Sequence, residues 1–255
     1  MTDAVLFDVP ESGIAVLTIN RPDKLNTLGR DVREGLFACW ERFERDPDLR
    51  VAILTAAGDK AFCAGGDLKE MSELKLAVPP RDMFPVPGDN VELTKPTIAA
   101  VNGIAYAGGW LLAQACDLCV AASTARFAIT EARVGRGSPW AAPLIHMIPQ
   151  RIFMEIVLTG APIDAWRAYE VGLINRVVEP EKLLEEALLL ARTIAANAPL
   201  SVLAGKETVH LSTEMGKTAA LRAARHAWET AYRSIDAQSG PRAFAEKRAP
   251  VWQGK

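Results

Sequence analysis

"VAILTAAGDKAFCAGGDL" (51–68) and "TIAAVNGIAYAGGWLL" (97–112) follow one plan: an apolar run, a short loop, Ala-Gly-Gly, one residue, a leucine and a helical pattern. Such self-similarity reads as one supersecondary unit used twice. The runs at 51–56 and 97–103 are short and apolar, as buried strands are. Each copy therefore predicts strand, corner and helix, with the glycines at the corner. A corner without bulky side chains lets a ligand approach the main chain, and a helix N-terminus offers unpaired N–H groups and the positive end of a dipole. Two such corners facing one site place two N–H donors on one carbonyl oxygen, worth on the order of 3–4 kcal/mol per donor in acyl-transfer enzymes. Gly-Gly before a helix also serves plain tight turns and close packing, so each corner alone leaves both readings open.

Outward from the corners, residues 4–9 and 13–20 alternate as a β-hairpin around "ESG". Next comes a helix capped by Asp31, with Val32, Leu36, Trp40 and Phe43 stacked on one face. Residues 76–90, "LAVPPRDMFPVPGDN", are proline-rich and predict a mobile loop or irregular flap. From Pro180 the pattern turns wholly helical. Leu183, Leu184, Ala187, Leu188, Ala191 and Ile194 share a face, and further helical stretches lie near 199–211 and 216–238. Mixed strands and helices followed by helices alone predict an α/β core over residues 1–195 and a helical region over 196–255, folded onto its own core or onto a neighbour.

The 255 residues are 49% hydrophobic and 24% charged, enough to bury a large core and far from the disordered range. A net charge of −2 argues against a nucleic-acid partner. No apolar run reaches bilayer length and the first residues lack a signal-peptide pattern, so no membrane partner and a cytoplasmic location are expected. Cys39, Cys63, Cys116 and Cys119 do not form a disulfide framework; Cys116 and Cys119 make C-x-x-C without a second pair and read as buried. His146, His210 and His226 lack ligand spacing, and no metal site is expected. Phosphate-loop, dinucleotide, nucleophile-elbow and H-E-x-x-H motifs are all absent.

The stretches "INRPDKLNTL" (19–28), "KAFCAGGDLKEM" (60–71), "KPTIAAVNGIAYAGG" (95–109), "CDLCVAASTARFAITEARVG" (116–135), "LTGAPIDAWRAYEVGLINRVV" (158–178) and "GPRAFAEKRAPVWQGK" (240–255) resemble the enoyl-CoA hydratase/isomerase, or crotonase, superfamily, in family order over nearly the whole chain. The resemblance implies a spiral of repeated ββα units with a helical C-terminal oligomerisation region, assembled as homotrimers or as homohexamers built from two trimers. It implies an acyl-CoA substrate, with coenzyme A entering as part of it and no tightly bound cofactor. The oxyanion donors it implies are the N–H groups of Ala64 and Gly108. Lys24, Leu25, Asp67 and Leu68 fall where the family wraps the CoA arm, and Ala61, Gly65, Gly66 and Gly109 are further substrate-binding positions that the resemblance implies. Phe244, Lys247 and Trp228 fall where a neighbouring subunit reaches the nucleotide end; surface charge and helix packing are their plain alternatives.

Glu131 in "FAITEARVG" matches the family's general acid/base, and a carboxylate beside an apolar acyl pocket would have a raised pKa. Two-acid hydratases of the family carry a second glutamate where this chain has Leu111, which can neither take a proton nor orient water. One-acid members include isomerases of enoyl-CoA double bonds and some lyases. After Glu131, "GRGSPWAAPLIHMIP" is about two residues shorter than the family's glycine-rich loop. Trp140 and Pro139 are expected at the acyl end of the pocket, His146 in packing or solvent, and Cys63 and Tyr106 as pocket lining without a nucleophilic role. Double-bond isomerisation or hydration is the expected reaction. A carbon–carbon lyase or hydrolase acting on a ring- or aryl-substituted acyl-CoA (Leu111, Trp110, Trp140, the flap) and a non-catalytic CoA-binding subunit are the alternatives.

Overall fold

The computed structural model describes residues 3–75 and 78–255, so the first two residues of the proline-rich segment lie outside it. The chain opens with the expected hairpin, β1 (Val5–Glu11) antiparallel to β2 (Ile14–Ile19), followed by α1 (Arg30–Arg45). Three strand pairs follow: β3 (Val51–Ala56) with β4 (Ala61–Cys63), β5 (Thr97–Val101) with β6 (Ile104–Tyr106), and β7 (Leu118–Ala122) with β8 (Arg126–Ala128). The first strand of each pair joins one sheet, ordered β1-β2-β3-β5-β7-β10, and the second joins a smaller sheet, ordered β4-β6-β8-β9. Here β9 is Ile163–Asp164 and β10 is Arg176–Val178. Helix α2 (Leu68–Leu74) follows β4, α3 (Gly108–Ala115) follows β6, and a 3₁₀ turn (Glu131–Val134) follows β8. The unit read twice in the sequence is therefore used three times, and the result is a crotonase-like α/β spiral.

The strands of the larger sheet from β2 to β10 run parallel and are covered on both faces. Burial on both faces is why they read as unbroken apolar runs rather than alternating ones. Leu17, Leu54 and Val101 point to a core shared with Leu36, Trp40 and Phe43 of α1 and Phe62 and Phe127 of the smaller sheet. Val16, Ile53, Ile98 and Val120 point the other way, onto Leu183, Ala187 and Ala191 of a later helix, α6 (Leu183–Ala195). Leu184 turns outward from that face, and Leu188 and Ile194 are half-buried on it. Between β8 and α6 lie α4 (Gln150–Thr159) and α5 (Ala165–Glu170).

Two local expectations change. Gly29, not Asp31, is the N-cap of α1; Asp31 instead accepts from its neighbour's N–H and pairs with Arg21. The last helical stretch is broken at Ser234, whose hydroxyl accepts from Ala237 N–H and starts a new helix. After α7 (Pro199–Glu214), the region 216–238 thus divides into α8 (Lys217–Arg233) and α9 (Ile235–Ala245). Lys206 of α7 joins this tail to the core, with Nζ donating to the Lys95 carbonyl at 2.9 Å and to Asp117 at 2.8 Å.

Candidate active site

The parallel strands β4, β6 and β8 end side by side, with Ala105 opposite Cys63 and Tyr106 opposite Ala128. The residues that follow them, Gly65-Gly66, Gly108 and Glu131, therefore emerge together at the carboxyl edge of the smaller sheet, where parallel sheets commonly bind ligands. The two glycine corners touch. A Cβ on Gly65 would stand 2.9 Å from that of Ala107, and one on Gly109 would collide with the Cys63 carbonyl. Gly65 has φ +105°, a conformation open to glycine, whereas Ala107 is held at φ 51°, ψ −118°, strained for an alanine. Ala107 stays there because its N–H is bound to the Ala128 carbonyl at 2.9 Å.

One donor assignment is corrected. The Ala64 N–H already donates to the Leu25 carbonyl at 3.1 Å, and Gly65 N–H points to Cys63 Sγ at 3.4 Å. The next amide, that of Gly66, has no partner among the described residues, and neither has that of Gly108 at the start of α3. The Leu25 carbonyl is presented by two successive left-handed residues, Leu25 (φ 51°) and Asn26 (φ 54°). Asn26 is buried and fixes that bend: its Oδ1 accepts from Arg21 N–H at 2.8 Å, and its Nδ2 donates to the carbonyls of Ala57 (3.0 Å) and Ala61 (2.7 Å). Sequence reading missed Asn26, whose only signal is an asparagine, a residue tolerant of left-handed backbone, after "DKL". Met71 Sδ and Phe84 Cζ stand 2.9 and 3.8 Å from where a Gly66 Cβ would be, so α2 and the proline-rich segment wall this corner.

Glu131 opens the third corner and is buried, with 8% of its surface accessible. Its Oε1 accepts from the Trp140 indole N–H at 3.2 Å, while Oε2 has no partner. Burial pushes the carboxyl pKa above the ordinary range, against the lowering effect of its own backbone N–H and the Trp140 N–H. Trp140 is anchored from α3, where Gln114 Nε2 donates to its carbonyl at 3.0 Å. Gln114 is a second residue that sequence reading missed, visible only as a polar position in an apolar helix. Leu111 is buried on α3 and supplies no second carboxylate.

Residues 10–255 match the family model described as enoyl-CoA hydratase/isomerase. The chain belongs to this family. It is 38% identical over 246 residues to the (E)-benzylidenesuccinyl-CoA hydratase of Thauera aromatica, covering 94% of this chain and 96% of that one. It is 39% identical over 252 residues to the carnitinyl-CoA dehydratase of Salmonella typhi, covering 95% of each. Among solved structures, a probable enoyl-CoA hydratase/isomerase from Mycobacterium abscessus superposes with a TM-score of 0.89 at 40% identity over the whole of both chains. An enoyl-CoA hydratase from Mycobacterium marinum does so with 0.91 at 37%.

The other family positions fall at different distances from the corners. Cys63 is fully buried and its thiol is pushed up to about 12 by desolvation, so it packs in the core and does not line a pocket. Trp110 also belongs to the core, edge-on to Phe127 at 5.8 Å. Tyr106 and Pro139 retain exposed surface, and His146 is exposed. Lys24, Leu25 and Leu68 lie open to solvent beside the first corner, while Asp67 Oδ1 caps α2 through Lys69 and Glu70 N–H. Ala61 lines a cavity of about 180 Å³ with Pro22, Asn26, Gly58 and Lys60. Phe244 and Lys247 stand exposed at the far end of the tail, and Trp228 Nε1 is taken by Thr208 Oγ1 at 2.9 Å, a helix-packing role. Among the described residues no group of three or more His, Cys, Asp or Glu could hold a metal ion, and Cys116 and Cys119 are buried free thiols.

Proposed function

We propose that the protein adds water to, or removes it from, the Cα–Cβ bond of an acyl-CoA thioester, with Glu131 as sole acid/base and the N–H groups of Gly66 and Gly108 as oxyanion donors. The observation that carries this reading is a buried Glu131 with one carboxylate oxygen unpartnered among the described residues, beside two glycine corners where the amides of Gly66 and Gly108 are likewise unpartnered. In dehydration the carboxylate takes the Cα proton of a 3-hydroxyacyl thioester, and the electron pair passes into an enolate held by the two amides. The Cα–Cβ double bond then forms as the Cβ–O bond breaks, and Glu131 returns the proton to the departing hydroxyl, releasing water. One carboxyl suffices if both groups leave from the same face, so Leu111 does not bar the reaction. Each amide contributes on the order of 3 kcal/mol to the enolate-like transition state. The hydratase and dehydratase relatives support water chemistry; their acyl groups are not carried over.

Leu111 favours a second reading, double-bond isomerisation, in which the same oxygen moves a proton between Cα and Cγ. Coenzyme A enters as part of the substrate in either case. The proposed assembly is a homotrimer or a pair of trimers, with Phe244 and Lys247 reaching a neighbour's nucleotide end. Chromatographic separation with mass analysis, after incubation with 2-enoyl-, 3-enoyl- and 3-hydroxyacyl-CoA, decides the reaction, because double-bond isomers share one mass and differ in retention. Gain or loss of water supports the first reading, and a moved double bond at constant mass the second. Fragments or no change across the panel would overturn both, in favour of a lyase or a non-catalytic CoA-binding subunit. Glu131→Gln should abolish turnover and keep thioester affinity within a few-fold; unchanged turnover removes Glu131 from the mechanism.

A further inference from the structure

Trp140 sits nine residues beyond Glu131, in the 3₁₀ segment Pro139–His146, yet is held at both ends to the site. Its carbonyl accepts from Gln114 on α3, the helix that Gly108 begins, and its indole N–H donates to Glu131 Oε1. The main chain of Glu131 is fixed independently, its carbonyl accepting from the N–H groups of Gly135 and Arg136. The carboxylate at the end of the side chain has one hydrogen-bond restraint from another residue among the described residues, the indole. Oε2 is left buried and without a hydrogen-bond partner among the described residues.

We infer that Trp140 is a positioning residue for Glu131: its indole N–H ties down one carboxylate oxygen so that the other alone exchanges protons with the substrate, and Gln114 sets the indole from α3. This rests on Glu131 being the acid/base. An indole donates but cannot accept, so it holds the ionised carboxylate without competing for the proton in transit. The charged or titratable groups on the turn and on the elements packed around it are Arg133 and Arg136 on its own segment, Arg151 and Glu155 on α4, and His146 at the end of the 3₁₀ segment. None of them perturbs the carboxyl as burial, its own N–H and Trp140 do. Trp140 therefore has a readout that plain packing would lack. Losing its N–H removes a stabiliser of the carboxylate form, and the acid limb of kcat/KM should move to higher pH.

The test is Trp140→Phe, which keeps an aromatic ring and loses the donor, assayed on the substrate identified by the mass panel. The expected result is a fall in kcat of about tenfold or more, the usual scale for a hydrogen bond to a charged group. KM should stay within a few-fold, and the acid limb should rise. Gln114→Met, which frees the Trp140 carbonyl from α3 and leaves the indole in place, should shift both quantities the same way by less, and it carries the test if Trp140→Phe does not fold. A folded Trp140→Phe enzyme with wild-type kcat and pH profile overturns the inference, as does a Gln114→Met enzyme with neither change if it alone folds. Because Glu131→Gln is scored separately, an inactive Glu131→Gln beside an unaltered Trp140→Phe would sink this role for Trp140 and leave the acid/base reading standing.

Discussion

At the scale of single residues, the role proposed for Glu131 conflicts with stability. Its carboxyl is desolvated, which favours the protonated form, and only partly relieved by donors. The folded-state pKa lies above the unfolded one, so this group's contribution to stability is greatest below the unfolded carboxylate range. It is lost as pH rises through the folded pKa. Glu131→Gln should therefore unfold at a higher temperature than the wild type at neutral and alkaline pH, with the gap closing as pH falls below the ordinary carboxylate range. Thermal unfolding across pH measures this, and equal midpoints throughout would refute it. Glu131 was legible in the sequence only through its family setting, because an isolated glutamate carries no sign of burial. The occupied amide of Ala64 was not legible at all: its partner, the Leu25 carbonyl, comes from a loop 39 residues earlier.

At the scale of elements, the site is made by three units of one design delivered to one sheet edge. The sequence displays two of them, because both carry Ala-Gly-Gly. The third, β7-β8, ends in "AITE" and was hidden by the lack of that signature. The bend at Leu25 and Asn26 belongs to this scale, since it ties the loop before α1 to the loop between β3 and β4 and to the end of the first corner. Asn26→Ala deletes three hydrogen bonds, one buried and two part-buried, and puts alanine in a left-handed conformation. It should cost about 3–5 kcal/mol in denaturant unfolding. A cost under about 1 kcal/mol, the scale of an ordinary surface change, would mean that the bend holds without it.

At the scale of the whole molecule, α8, α9 and the segment after them leave Leu221, Tyr232, Phe244 and Val251 exposed, and α4 and α5 expose Met154, Leu158, Trp166 and Tyr169. Apolar side chains of this size left in water point to association. Sedimentation should give three or six times the protomer mass of 27.6 kDa. If Phe244, with 87% of its surface accessible, meets a neighbour's nucleotide, Phe244→Ser should raise KM for acyl-CoA about tenfold with kcat unchanged. A monomeric wild type, or an unaltered KM in the variant, would dismiss that contact.

The amino-acid order alone determined the buried strands, the helical tail and the presence of glycine corners, because these rest on local periodicity and on the backbone freedom of particular residues. It also carried the family resemblance and the missing second acid at Leu111. Which amide at the first corner is open, where α8 gives way to α9, and what holds the Glu131 carboxylate were decided only by the tertiary structure. A peptide N–H looks the same in every residue but proline. Whether it is spent or available depends on which distant carbonyl the folded chain brings within about 3 Å.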